Sequence, residues 1–305
     1  MLNVAIVGYG NLGKGVEKAL EKREDAHIVG IFSRRDPNTL KTQNKAYHFD
    51  DIFALKDKID VCILCGGSAN DLPIQTPLLS EHFNTVDSYD NHALIKEHQE
   101  KVNQKTNKTT SIISVGWDPG LFSIQRLYIE SILGVSNHTF WGEGVSQGHS
   151  DAIRQLDGVI DAIQVTVPLE EAIKKAQDGV TDIKNKHKRV AYVVSDRNDK
   201  DELENEIKTM PHYFAPFETE VHFVTQAKLK EMFPTMPHGG HVIGSDGESK
   251  MEFTLQLASN PNFTAQVLVA YAYACVNMNM MKMVGAYTVY DVAPKYLSKD
   301  RFDIL

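Results

Sequence analysis

Two aspartates, Asp90 and Asp118, sit where a doubly wound sheet would present them to a small molecule. Each follows a short apolar run. Thr85–Asp87 precedes Ser88-Tyr89-Asp90-Asn91-His92, and Ser111–Val115 precedes Gly116-Trp117-Asp118-Pro119-Gly120. If those runs are parallel strands, both carboxylates lie beyond the strands' carboxyl ends, where ligands of such sheets bind. Two carboxylates there hold an ammonium group, or take a proton from an amine or from water. The plainer alternative is that each caps a loop or a helix, and residue types alone do not separate the two.

Three further clusters carry polar chemistry. Phe140–Asp151 gathers Trp141, three glycines, Gln147, His149 and two serines into twelve residues. Glycines there expose backbone N–H groups that can hold a carboxylate, and a loop this long is otherwise just surface. Arg189 opens a β-branched run and has the planar fork that binds a carboxylate through two hydrogen bonds, although a surface arginine is its default reading. Met236-Pro237-His238-Gly239-Gly240-His241 suggests metal, but two histidines need a third ligand and no cysteine or carboxylate is close in sequence, so anion or substrate binding is the better reading and no metal is expected. Cys62-Ile63-Leu64-Cys65 matches C-x-x-C only formally. It lies in an apolar run, Val61–Cys65, whose alternation points the two thiols to opposite faces.

These groups need a scaffold, and the first 115 or so residues supply one. Asn3–Val7, His27–Phe32, Val61–Cys65, Thr85–Asp87 and Ser111–Val115 read as strands alternating with helical patterns, hence a parallel sheet. The first run leads into Gly8-Tyr9-Gly10-Asn11-Leu12-Gly13, followed by a helical stripe of Leu12, Val16, Ala19 and Leu20. That strand–turn–helix context seats a dinucleotide pyrophosphate on a helix N-terminus. Gly8 makes the turn, Gly10 admits the phosphates, and Gly13 lets helix and strand meet. The second strand ends in Ser33-Arg34-Arg35 instead of the carboxylate that accepts from an NAD ribose. A hydroxyl and two guanidiniums suit a 2′-phosphate, so NADP(H) is expected. Gly67 and Ser68, after the third run, complete the expected cofactor contacts.

Length and charge set the remaining bounds. A chain of 305 residues suits two domains. Residues 1–117 are expected to form the dinucleotide domain and 118–284 a substrate and dimerisation region, with 285–305 returning to the first. Period-two patterns over Phe217–Phe223 and Met251–Leu257, with the run Arg189–Val194, indicate mainly antiparallel strands in an α+β second domain. A net charge of −8 argues against nucleic acid. The apolar stretch Phe263–Met283 contains Gln266, Asn277, Asn279 and Lys282, and reads as a buried helix instead of a membrane span. Three sparse cysteines and a strand at the very N-terminus suggest a cytoplasmic protein.

Taken together, the motifs resemble the NADP-dependent meso-diaminopimelate D-dehydrogenase family. The carrying segments are Val4–Gly13, Gly30–Arg35, Val86–His92, Gly116–Ser123 (GWDPGLFS), His138–Asp151 (HTFWGEGVSQGHSD), Thr209–Phe214 (TMPHYF) and Met236–Val242 (MPHGGHV). The resemblance implies reversible oxidative deamination of the D-centre of meso-2,6-diaminopimelate, with ammonia as co-product, by a homodimer. It implies that Asp90 and Asp118, with Trp117 beside them, hold the D-centre amine and carry the proton chemistry. It also implies that Trp141 and the Gln147-Gly148 backbone hold the D-centre carboxylate, that Thr166, Arg189 and His238 bind the distal carboxylate, and that Asn260 helps with the distal amine. The competing readings are another NADP-dependent oxidoreductase, such as a dihydrodipicolinate reductase or homoserine dehydrogenase, and a non-catalytic NADP sensor.

Overall fold

The structure, a computed structural model, describes residues 1–211 and 213–297. His212 of the TMPHYF segment and residues 298–305 of the expected returning segment lie outside the described residues. The chain divides into two units, Met1–Ile124 with Pro261–Leu305, and Gln125–Asn260.

The first unit is built on β1 (Leu2–Val7), α1 (Asn11–Leu20), β2 (Ala26–Ser33), β3 (Ala46–His48), β4 (Val61–Leu64), α2 (Leu72–Ser80), β5 (Thr85–Asp87), α3 (Ile95–Asn103) and β6 (Thr110–Ile112). After the start of α4 (Leu121–Leu133), the chain leaves for the second unit. That unit holds β7 (His138–Trp141), β8 (Gly144–Ser146), α5 (Gln147–Arg154), β9 (Val159–Pro168), α6 (Glu170–Gln177), β10 (His187–Ser195), α7 (Lys200–Thr209), β11 (Thr219–Phe223), α8 (Gln226–Met232), β12 (His238–Ser245) and β13 (Lys250–Leu257). The chain returns through α9 (Asn260–Met280) and β14 (Gly285–Tyr287).

The seven strands of the first unit run in the order β14-β6-β5-β4-β1-β2-β3, every pairing parallel. Strand order reverses at β1 and β4, the crevice where such sheets bind nucleotides. Both faces are covered, so the central strand β4 and most of β1 are apolar, whereas β5 and β6 bury Thr85, Asp87, Thr110 and Ser111. Val4, Ile6 and Ile63 enter one core with Val16 of α1 and Leu268 and Cys275 of α9; Ala5, Val7, Cys62 and Leu64 enter the other with Leu72 and Leu79 of α2. Cys62 and Cys65 accordingly sit in different cores, and burial pushes both thiols well up, away from the reactive thiolate.

α9 is where the structure departs from a boundary at residue 284. Ala265, Leu268, Ala272, Ala274 and Cys275 are fully buried in the core of the first unit, so the helix belongs there. A Cβ on Gly15 of α1 would stand 3.0 Å from that of Ala265, which shows how closely the two helices approach. Among the described residues no helix is long and apolar enough to cross a membrane.

The second unit has two sheets, β11-β10-β9-β8 and β13-β12-β7. β8 with β9, β9 with β10, and β12 with both β7 and β13 pair antiparallel. β11 instead joins β10 in parallel, Arg189 opposite Thr219, because the connection through α7 carries the chain back to the same end. Alternation at Phe217–Phe223 reports a half-buried strand but not its direction.

Candidate active site

The nucleotide end of the first unit follows from its glycines. A Cβ on Gly13 would lie 2.2 Å from the carbonyl oxygen of Gly8, so only glycine lets α1 start this close to the turn. Gly10 has nothing within 4 Å of where a Cβ would be, and the first turn of α1 carries no acidic residue and no side-chain cap. Its N–H groups, including those of Asn11, Leu12 and Gly13, are therefore left for an anion.

A groove of about 550 Å³ runs from Gly8 and Gly10 past Ser33, Arg34 and Arg35 to Gly67. Ser33 Oγ accepts from the Arg35 N–H at 3.1 Å, and Arg35 donates to the Tyr9 carbonyl. The absence of a carboxylate near the end of β2 holds for the strand itself but not for the groove. Asp71, after β4, pairs with Arg34 and accepts from the Gly67 N–H at 2.9 Å. Arg34 is still 67% exposed on its side chain and Asp71 only 20%, so the guanidinium remains open to a phosphate. The donor set fits NADP(H).

Ser68 links this groove to the first aspartate, since its hydroxyl accepts from the Asp90 N–H at 3.1 Å. Asp90 is exposed beyond β5. Asp118 is half-buried in the turn beyond β6, where the Phe122 N–H donates to the Trp117 carbonyl and the two rings meet edge to face at 5.2 Å. Gly120 closes this turn at φ +128°, and any Cβ there would strike the Gly116 carbonyl at 2.0 Å. The two aspartates are thus borne on adjacent loops of one sheet edge.

In the second unit, Arg189 is the residue whose setting could receive an anion. Arg189 faces Thr166 across the β9–β10 pairing and donates to its hydroxyl, while its Cζ lies 4.2 Å from the centre of the Phe217 ring. Its Nε is buried with no partner among the described residues, and burial pushes the guanidinium down to about 10, still cationic at neutral pH. Gln164 donates to the same Thr166 hydroxyl at 3.3 Å. A half-buried cation with a buried, unused donor is costly unless an anion meets it.

The same unit bears the other residues expected to bind carboxylates. α5 begins at Gln147, and nothing lies within 4 Å of a Cβ on Gly148. Gln147 Nε2 lies 2.7 Å from Met236 Sδ. Trp141, 41% exposed, stacks on His187 at 5.6 Å and donates its N–H to His187 Nε2 at 2.8 Å. His238 opens β12, with Gly239 N–H on its Nδ1 at 2.8 Å. His241, three residues on, falls on the opposite face and lies 2.9 Å from the Thr254 hydroxyl, so the two histidines do not converge on one ion. Asn260 N–H donates to the Met236 carbonyl at 3.1 Å.

Two histidines, His187 and His149, were not assigned from the sequence. His187 was legible in principle, because two-residue spacing on a strand puts it on the face of Arg189. Burial first, then the Arg189 charge, pushes each imidazole down to about 4. Unfolding releases both toward about 6.5, so between those values the unfolded chain binds more protons and stability falls as pH is lowered. The melting temperature is therefore expected to drop steadily from pH about 6.5 to about 5, above most carboxylate titration, with a shallower slope in His187→Gln. A flat profile over that interval would contradict the neutral pair.

Comparison with known proteins fits this geometry. Residues 116–259 match the family model described as the diaminopimelic acid dehydrogenase C-terminal domain. The chain is 48% identical to the meso-diaminopimelate D-dehydrogenase of Ureibacillus thermosphaericus, covering 95% of this chain and 94% of that protein. Its fold is similar to the C. glutamicum DAP dehydrogenase in complex with DAP, with TM-score 0.91, 44% identity, and coverage of 100% and 98%. It is also similar to an engineered D-amino acid dehydrogenase bound to NADP+, with TM-score 0.85, 43% identity and the same coverage.

Proposed function

The chain belongs to the meso-diaminopimelate D-dehydrogenase family, and on that premise we propose that it deaminates the D-centre of meso-2,6-diaminopimelate with NADP+ as oxidant. Substrate, NADP+ and water yield L-2-amino-6-oxoheptanedioate, ammonia, NADPH and a proton, and the reverse reaction is a reductive amination. The oxo acid cyclises to tetrahydrodipicolinate, which ties the reaction to lysine biosynthesis. The single observation that supports this substrate most strongly is Arg189, a half-buried cation whose buried Nε is an unused donor beside a hydroxyl. It suits a diacid far better than a simple amino acid.

When bound, NADP supplies the hydride acceptor for deamination and the donor for amination. Gly8, Gly10, Asn11, Leu12 and Gly13 take its pyrophosphate, Ser33, Arg34 and Arg35 its 2′-phosphate, and Gly67 and Ser68 border it. Asp90 and Asp118, next to Trp117, hold the D-centre ammonium. Asp118 takes its proton, leaving a neutral amine able to form the iminium; once that proton has passed to solvent, the regenerated carboxylate accepts one from the attacking water. Trp141 and the Gln147 and Gly148 N–H groups hold the D-centre carboxylate. Thr166, Arg189 and His238 hold the distal carboxylate, and Asn260 the distal amine. Fixing both ends selects which of the two carbons reacts. The working form is a cytoplasmic homodimer, for which sedimentation at twice the chain mass is the expected result.

NADPH formation is expected with meso-diaminopimelate and NADP+, and to be far slower with the LL isomer, D-lysine or NAD+. Silence with the meso isomer, despite measurable NADPH binding, would sink the reaction and leave the nucleotide unit standing. Replacing both Arg34 and Arg35 by Ser is expected to raise KM for NADP+ at least about tenfold while sparing NAD+, the worth of lost charge-assisted hydrogen bonds. An unchanged preference for NADP+ would remove the arginines from 2′-phosphate binding.

A further inference from the structure

Asp87 lies at the end of β5 between the two loops that carry Asp90 and Asp118, and it is fully buried. Its Oδ1 accepts from the Tyr89 N–H at 3.1 Å, in the first loop, and from the Ser114 N–H at 2.8 Å, in the second. Its backbone carbonyl accepts from the Val115 N–H at 2.8 Å. Its Oδ2 accepts from the Thr76 hydroxyl at 2.8 Å and lies 2.7 Å from Nε2 of His98, itself buried on α3. The His98 ring stacks on that of Tyr89 at 4.1 Å. Four groups converge on one carboxylate, and a buried charge persists only when so satisfied.

We infer that Asp87, held by His98, is the positioning residue that sets both loop aspartates for the amine, a role that rests on the reading of Asp90 and Asp118 given above. One carboxylate oxygen fastens the residue before Asp90 and a residue four before Asp118. It also holds Ser114 at φ +57°, a left-handed conformation that a serine keeps only when its surroundings impose it. A simple core contact would need only one of these bonds. Using one oxygen for both loops makes their separation a property of a single side chain, and proton transfer is sensitive to displacements of about 1 Å.

The test is steady-state deamination of meso-diaminopimelate by the full chain, with NADPH binding as the check on the fold. Asp87→Asn is expected to lower kcat roughly tenfold while changing the NADPH Kd less than about threefold, since the phosphate-binding loops do not depend on it. Combined with Asp118→Asn it is expected to lower kcat by clearly less than the product of the two single effects, because both act on one step. His98→Leu is expected to repeat the loss and His98→Gln, which retains a donor toward Asp87, to recover most of it; this pair decides the matter if Asp87→Asn does not fold. Parental kcat in folded Asp87→Asn or His98→Leu, with Asp118→Asn impaired, would overturn the positioning role alone, as would full additivity. Parental kcat in Asp118→Asn would instead overturn the reading on which it rests.

Discussion

Asp118→Asn is expected to cut the maximal rate of deamination by at least about tenfold with little change in NADPH binding. Asparagine keeps the shape and the hydrogen-bonding oxygen of the side chain but cannot take a proton. The turn that bears it is held by contacts independent of the charge, namely the Phe122 N–H on the Trp117 carbonyl and the close approach of Gly120 to Gly116. The variant should therefore fold, bind cofactor and lose chemistry. Asp90→Asn, on an exposed loop tethered through Ser68, should raise KM for the diamino acid more than it lowers kcat. Unchanged turnover in Asp118→Asn would reject its role as proton acceptor.

Arg189→Met is expected to have the larger effect on specificity. Methionine fills similar volume against Phe217 without the charge. KM for meso-diaminopimelate should rise roughly ten- to a hundredfold, the range of a charge-assisted pair of hydrogen bonds. Relative activity on apolar D-amino acids should rise at the same time. The substrate-free protein should melt no lower than the parent, because an unpaired buried donor is removed and apolar volume is kept. If the ratio of diaminopimelate to apolar D-amino acid turnover does not move, Arg189 is not the distal anchor.

How much of this was legible depended on the physics each residue obeys. The nucleotide sheet was readable because its central strands are mostly apolar on both faces and its glycines are dictated by local geometry, as at Gly13. β3 was not, since Ala46-Tyr47-His48 is too short to alternate, and its pairing with Ile31–Ser33 is purely tertiary. Asp71 escaped for the same reason, reaching Arg34 from thirty-seven residues away. α9 was visible as a buried helix, but its sequence does not say which core it fills, because small apolar residues suit either. In the second unit the two-residue period revealed strand faces yet left the parallel partner of β10 undetermined. Asp90 and Asp118 were candidates by type and place, whereas Arg189 by itself read as a surface arginine and entered the site through the resemblance. The buried polar residues near them, Asp87, His98 and His187, did not stand out, because such residues declare themselves only through their partners.

The most direct test is the fate of a deuterium label. Meso-diaminopimelate deuterated at the D-centre alone should transfer the label to nicotinamide C4 of NADPH, leaving product without it. Substrate labelled at the L-centre should keep its deuterium through turnover. Transfer from the L-centre, or loss of the D-centre label to water, would contradict the assigned reaction and the orientation that Arg189 and the two aspartates impose.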